Sequence, residues 1–199
     1  MAKTRSKKIT KIDVNKFNKL MIMQMKVFCE RYSYLLEEFN DFSKRPYDRN
    51  DDFVEEYYDF YALNASPDFK KDSILECYFN LMKTKEKLTV DEVVEKLKNT
   101  GETKSNHVSF ASKLCHTIDN NVPLFDSRIK EYLHAVYHLQ INNFDDVNKW
   151  YTNSQYEKDR EEMIAWFRKR SEFKNYTQIS DVKVVDSIIF IWHKYYLAK

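Results

Sequence analysis

One glycine and three prolines in 199 residues leave almost no material for tight hairpin turns or for the glycine-rich loops that cradle phosphates. Both devices need backbone that tolerates positive φ. The chain is therefore expected to be helices joined by short polar turns. Its cysteines, Cys29, Cys77 and Cys115, are odd in number, far apart and without a C-x-x-C pairing. That excludes a disulfide framework and gives no zinc signature. No run approaches the roughly 18 apolar residues of a membrane span, and "MAKTRSKKITK" at the start has no apolar h-region. A cytoplasmic protein that meets no membrane is the expectation. Charge of one sign is also lacking: 33 basic residues face 31 acidic ones, for a net +2. No field over the whole molecule advertises nucleic acid. The local exception is a basic arm over residues 1–11, with Lys3, Arg5, Lys7, Lys8 and Lys11, which reads as a disordered tail or as a set of phosphate contacts.

What the chain has instead is helical periodicity. Apolar residues recur from about Ile12 to Phe42 (Phe17, Leu20, Met21, Met25, Phe28, Tyr32, Leu35, Leu36, Phe39), which predicts one long helix or two joined ones. Pro46 breaks it, and Asn50 or Asp51 can cap a second helix over about 53–63. Ser66 before Pro67 predicts the start of a third, with Phe69, Ile74, Leu75, Tyr78, Phe79 and Met82 as its buried stripe. Thr89 caps a fourth that ends before Gly101. Further helices are expected from Asp126 to about Leu139, from Phe144 to Phe173 with an interruption near "TNSQ", and after Ser180, burying Val182, Val185, Ile188, Ile189, Trp192 and Tyr196. Trp150 and Trp166 fall on similar stripes and read as core. Residues 12–199 thus predict a single all-α domain of about eight helices, which two lobes around a groove would accommodate.

Within it, "VSFASKLCHTIDNNVPLFDSRIKEYL" carries the chemistry. At about 100° per residue, Ala111, Leu114, Cys115 and Ile118 cluster beside Phe110, Ser112 and His116 point away, and Lys113 lies on the rim of the apolar arc. A lysine there either snorkels to solvent or turns its amine into a cleft, where desolvation makes it a nucleophile. Asp126, after Pro123 and before "SRIKEYL", reads first as a helix cap. The same position suits a carboxylate that stabilises developing positive charge.

The pair resembles the core of the helix-hairpin-helix DNA glycosylases. In that superfamily a lysine on the second hairpin helix attacks the sugar C1′, and an aspartate ends the Pro-containing loop that follows. "SFASK" sets Lys113 and "VPLFD" sets Asp126 at the matching points, and "SFASKLCHTIDNNVPLFDS" looks like the segment of bacterial proteins grouped with the 8-oxoguanine glycosylase fold. The resemblance covers about 25 residues. It departs from the pattern in having "NHVSF" for the hairpin glycines and only 13 residues from lysine to aspartate. It implies a glycosylase, with or without AP-lyase activity, that flips a damaged or modified base into a pocket. Lys113 would be the nucleophile, Asp126 its electrostatic partner, DNA the partner molecule, and no cofactor would be needed. Ser109, Ser112, Ser127 and Arg128 are candidate phosphate contacts, though serine beside a helix start also caps and Arg128 with Lys130 also suits a solvated face. His134 and His138 sit four apart with no third ligand, so no metal is expected. The competing reading is a non-catalytic helical protein, such as a DNA-structure binder or a defence-system component, that retains the glycosylase fold.

Overall fold

The computed structural model describes residues 11–196, which form nine α-helices and no strand. Residues 1–10 of the basic arm lie outside the described residues. Lys11, at its end, is ion-paired with Asp159 and Glu162.

The first helix starts later than its apolar pattern. Asn18, whose side chain accepts from the amides of Leu20 and Met21, opens α1 (Lys19–Phe42). Ahead of it, Asp13 caps a separate 3-10 turn, Val14–Lys16, and Phe17 is extended. A side-chain oxygen that satisfies two otherwise orphaned amides fixes a helix start more firmly than periodicity does. Ile12, Val14 and Phe17 still enter the core from this irregular stretch. Helix α2 (Asp52–Phe60) is capped by Asp51 as expected. Ser66 makes no capping bond, and Pro67 opens only a 3-10 turn, Pro67–Lys70, before α3 (Asp72–Thr84). Helix α4 (Val90–Lys98) carries a full capping box between Thr89 and Glu92.

Then follow α5 (Val108–Ile118), α6 (Ser127–Tyr137), α7 (Phe144–Thr152), α8 (Glu157–Lys169) and α9 (Asp181–Tyr196). Helix α6 stops short of Leu139 because His138 takes a left-handed conformation, φ 57°. The expected interruption between α7 and α8 falls at Asn153, which is extended and caps a short turn. The buried guanidinium of Arg160 seals the break by donating to the carbonyls of Trp150 and Asn153.

Helix α1 packs on α2 and α9, α9 also on α6 and α8, and α5 on α3 and α4. One apolar cluster runs through all of them from Ile12 to Trp192. Its α1–α2–α3 seam is aromatic: Phe42 stacks on Phe53 at 4.3 Å and meets Phe79 edge-on at 5.8 Å. Each such pair contributes about 0.5–1.5 kcal/mol beyond the area it buries. Trp150 and Trp192 are buried and Trp166 is half-buried, all three within the core. No helix among the described residues is long and apolar enough to cross a membrane.

Candidate active site

Helices α4 and α5 pack against each other across residues 99–107, and both ends of that connection use left-handed backbone, Gly101 at φ 77° and His107 at φ 34°. Positive φ is uncommon at a histidine and needs support from its surroundings. Here His107 is tied through Nε2 to Asp68 at 2.9 Å and to Thr103 at 3.0 Å.

Helix α5 is fixed on every side. Tyr78 donates to the Phe110 carbonyl (2.9 Å), and Cys115 donates to that of Leu88. The wheel reading had Ser112 and His116 pointing away from the core, yet both are wholly buried. Partners explain the difference, because a buried polar group is tolerated when it is hydrogen-bonded. Ser112 Oγ donates to the Ser109 carbonyl (2.9 Å) and accepts from the amide of Phe125 (3.0 Å). It therefore ties the lysine helix to the loop that delivers Asp126. His116 Nδ1 lies 2.7 Å from the Val122 carbonyl, which can only accept, so this nitrogen carries the proton. Nε2 then accepts from the Tyr32 hydroxyl at 3.0 Å. Burial, reinforced by the Lys183 charge, pushes the imidazole down to about 3, so it is neutral.

The Lys113 amine lies 4.7 Å from the centre of the Phe110 ring and 5.9 Å from that of Tyr61, and donates to the Tyr61 carbonyl at 2.9 Å. Desolvation pushes it down to about 8. The Asp126 carboxylate opposes that fall, Lys183 adds to it, Asp186 opposes it and Arg128 adds to it. Asp126 caps α6 as the sequence predicts, its Oδ1 accepting from the Ile129 amide at 2.9 Å. The other oxygen lies 3.9 Å from the Arg128 guanidinium, which itself sits 4.3 Å over the Phe190 ring. Lys113 and Asp126 are thus neighbours in one electrostatic cluster, but no ion pair within 4.0 Å joins them.

Two further charged residues belong to the cluster, and sequence reading missed them. Lys183 and Asp186 of α9 are buried, 1% and 5% exposed, and paired at 3.0 Å. An i, i+3 pair of opposite charges on an otherwise apolar helix was the available signal. The Tyr151 hydroxyl, within the field of Asp186 and Asp126, is buried without a hydrogen-bond partner among the described residues.

Of the other candidate contacts, Ser127 is exposed at the start of α6 and Ser109 is half-buried. Ser112, enclosed with its hydroxyl fully engaged, serves the loop and presents nothing to a DNA backbone. A groove of about 360 Å³ is lined by Met23, Val27, Phe28, Phe60, Phe190 and Lys194, among others, and neither Lys113 nor Asp126 is part of its lining. Ligand pockets span roughly 300–1,000 Å³. A larger cavity, about 670 Å³, lies elsewhere, between the starts of α4 and α7 and the 119–123 loop. Among the described residues no group of three or more His, Cys, Asp or Glu could hold a metal ion. No protein-family model, curated protein sequence or solved structure matches the chain.

Proposed function

We propose that the chain is a DNA N-glycosylase with AP-lyase chemistry, acting on a damaged or modified base, with Lys113 as nucleophile and Asp126 as its electrostatic partner. The Lys113 amine carries this reading: it is enclosed against Phe110 and Tyr61, shifted down to about 8, and neighboured by a carboxylate at a helix start. A desolvated lysine beside other cations is partly uncharged at neutral pH and so nucleophilic. The paired helices α4 and α5, with left-handed backbone at Gly101 and His107, are compatible with a hairpin that carries the lysine on its second helix.

In the reaction the Lys113 nitrogen forms a bond to the sugar C1′ while the bond from C1′ to the base breaks, its electron pair leaving with the base. The proton lost from nitrogen passes by way of the Asp126 carboxylate to the departing base. Asp126 also faces the positive charge that develops on the sugar, an interaction that strengthens toward the transition state. The nitrogen lone pair then forms the C1′=N bond as the C1′–O4′ bond breaks, O4′ takes a proton from solvent, and the protonated Schiff base that results is the species from which strand cleavage proceeds. The groove lined by Phe28, Phe60 and Phe190 offers aromatic surface on which bases can stack.

The competing reading, a non-catalytic binder, draws on the Lys113 bond to the Tyr61 carbonyl, which suits a purely structural lysine. Base release separates the two. Duplexes carrying oxidised, deaminated or alkylated bases should lose a base to the protein, and Lys113→Ala and Asp126→Asn should abolish the release. No release across the panel, or release undiminished in Lys113→Ala, would sink the glycosylase reading.

A further inference from the structure

The four rings around the Lys183 amine are an unusual setting for a cation with no visible ligand duty. Phe28 lies at 4.9 Å, Tyr32 at 5.1 Å, Phe60 at 5.3 Å and Tyr61 at 4.9 Å from the nitrogen. Asp186 meets it at 3.0 Å one turn along the same helix. Stability alone does not account for such an arrangement, since well-packed apolar residues often replace a buried ion pair at no loss. What the pair does have is a neighbour. Tyr61 is shared: its ring lies 4.9 Å from the Lys183 amine and 5.9 Å from that of Lys113, and its carbonyl accepts from Lys113.

We propose that Lys183, clamped by Asp186 inside the four rings, is a positioning residue whose fixed positive charge, set across Tyr61 from the Lys113 amine, adds to burial in disfavouring a second ammonium there. The rings and Asp186 hold the cation in place at low dielectric, where its repulsion of a second ammonium is strong. Asp186 moderates the effect. The inference rests on the reading of Lys113 as nucleophile. Other titratable and charged groups face the pair from every side: Cys29 and Tyr32 from α1, Tyr61 after α2, His116 from α5, Asp126 and Arg128 at the start of α6, and Tyr151 from α7. His116 is neutral, and the phenols and the Cys29 thiol are shifted up by burial. The charges acting on Lys113 are therefore Asp126, Lys183, Asp186 and Arg128.

Competitive acetylation of the folded protein with acetic anhydride from pH 6 to 11, read by mass spectrometry of the Lys113 peptide, measures the titration of that amine without DNA. The native midpoint should fall near 8. Asp186→Asn, which leaves the caged cation unopposed, should lower it by about half a pH unit or more, and adding Lys183→Met should bring it back to the native value or above. Unfolding would move the midpoint toward that of a free lysine, the opposite direction from Asp186→Asn. If that variant does not fold, Lys183→Met alone carries the test and must raise the midpoint. A midpoint unmoved or raised in folded Asp186→Asn, or unmoved in Lys183→Met, overturns the proposal. Base release that fails while the midpoints behave as stated sinks the glycosylase reading and spares the role of Lys183. The reverse outcome sinks only Lys183.

Discussion

Acid should attack this fold first at His116. The imidazole is wholly buried, its Nδ1 proton is committed to the Val122 carbonyl and its Nε2 to the Tyr32 hydroxyl, so a second proton cannot enter without breaking the Tyr32 bond. Its ordinary value of 6.5 falls to about 3 in the folded chain. Because the unfolded chain binds this proton and the folded chain does not, the stability tied to His116 is fully present above pH 6.5 and is lost progressively as pH falls toward 3. That difference amounts to about 2 kcal/mol lost by pH 5 and about 3 kcal/mol by pH 4. Urea unfolding at pH 7, 6 and 5 reads it, since a loss of 2 kcal/mol moves the midpoint by about 1 M for a chain of this size. His116→Asn keeps a donor toward Val122 and removes the titrating group. It should start less stable at pH 7 and then lose little down to pH 5. The other histidines and the carboxylates are common to both proteins and cancel in the comparison. Equal losses in wild type and variant between pH 7 and pH 5 would refute the reasoning.

Other expectations concern the site itself. Lys113→Met should stabilise the protein at pH 7 by about 1–3 kcal/mol, because it removes a charge whose burial is unfavourable, while base release disappears. The advantage should shrink as pH rises from about 8 to 10.5, where folding no longer has to keep the lysine protonated. Thermal melts of the two proteins across that range check it. Ser112→Ala removes the wholly buried hydroxyl that the half-buried Phe125 amide donates to and should cost about 1–2 kcal/mol in urea unfolding. Since the lost bond anchors the loop that sets Asp126, base release should also fall in protein that remains folded.

How far the sequence disclosed this molecule depends on whether a feature is local. Thr89 with Glu92, Asp51 and Asp126 act on amides two or three residues away, so their caps are visible in the string. The apolar stripes of α3 and of Val185, Ile188, Ile189 and Trp192 in α9 are equally legible, because period 3.6 needs no knowledge of the partner. Tyr196, at the frayed end of the α9 stripe, is 44% exposed instead. What periodicity cannot show is a polar residue made buriable by something distant. His116 needs Tyr32, 84 positions away, and the Lys183 amine needs rings from two other places in the chain, α1 and the end of α2. A wheel therefore puts Ser112 and His116 in solvent and passes over Lys183 and Asp186 entirely. Lys113 on a helix rim, Asp126 at a helix start and Arg128 beside it were singled out, the first two as a pair only through the resemblance, whereas Lys183 and Asp186, which act on the same amine from α9, were not.

The central claim, that Lys113 is a half-buried and partly uncharged nucleophile toward DNA, is tested most directly by reducing the reaction mixture with sodium borohydride and mapping any protein–DNA adduct by peptide mass spectrometry. The account predicts an adduct on Lys113 whose rate of formation rises with pH and levels off above about 8, and none with Lys113→Ala. An adduct mapped to any other residue, or no adduct on any of the damaged duplexes, would contradict it.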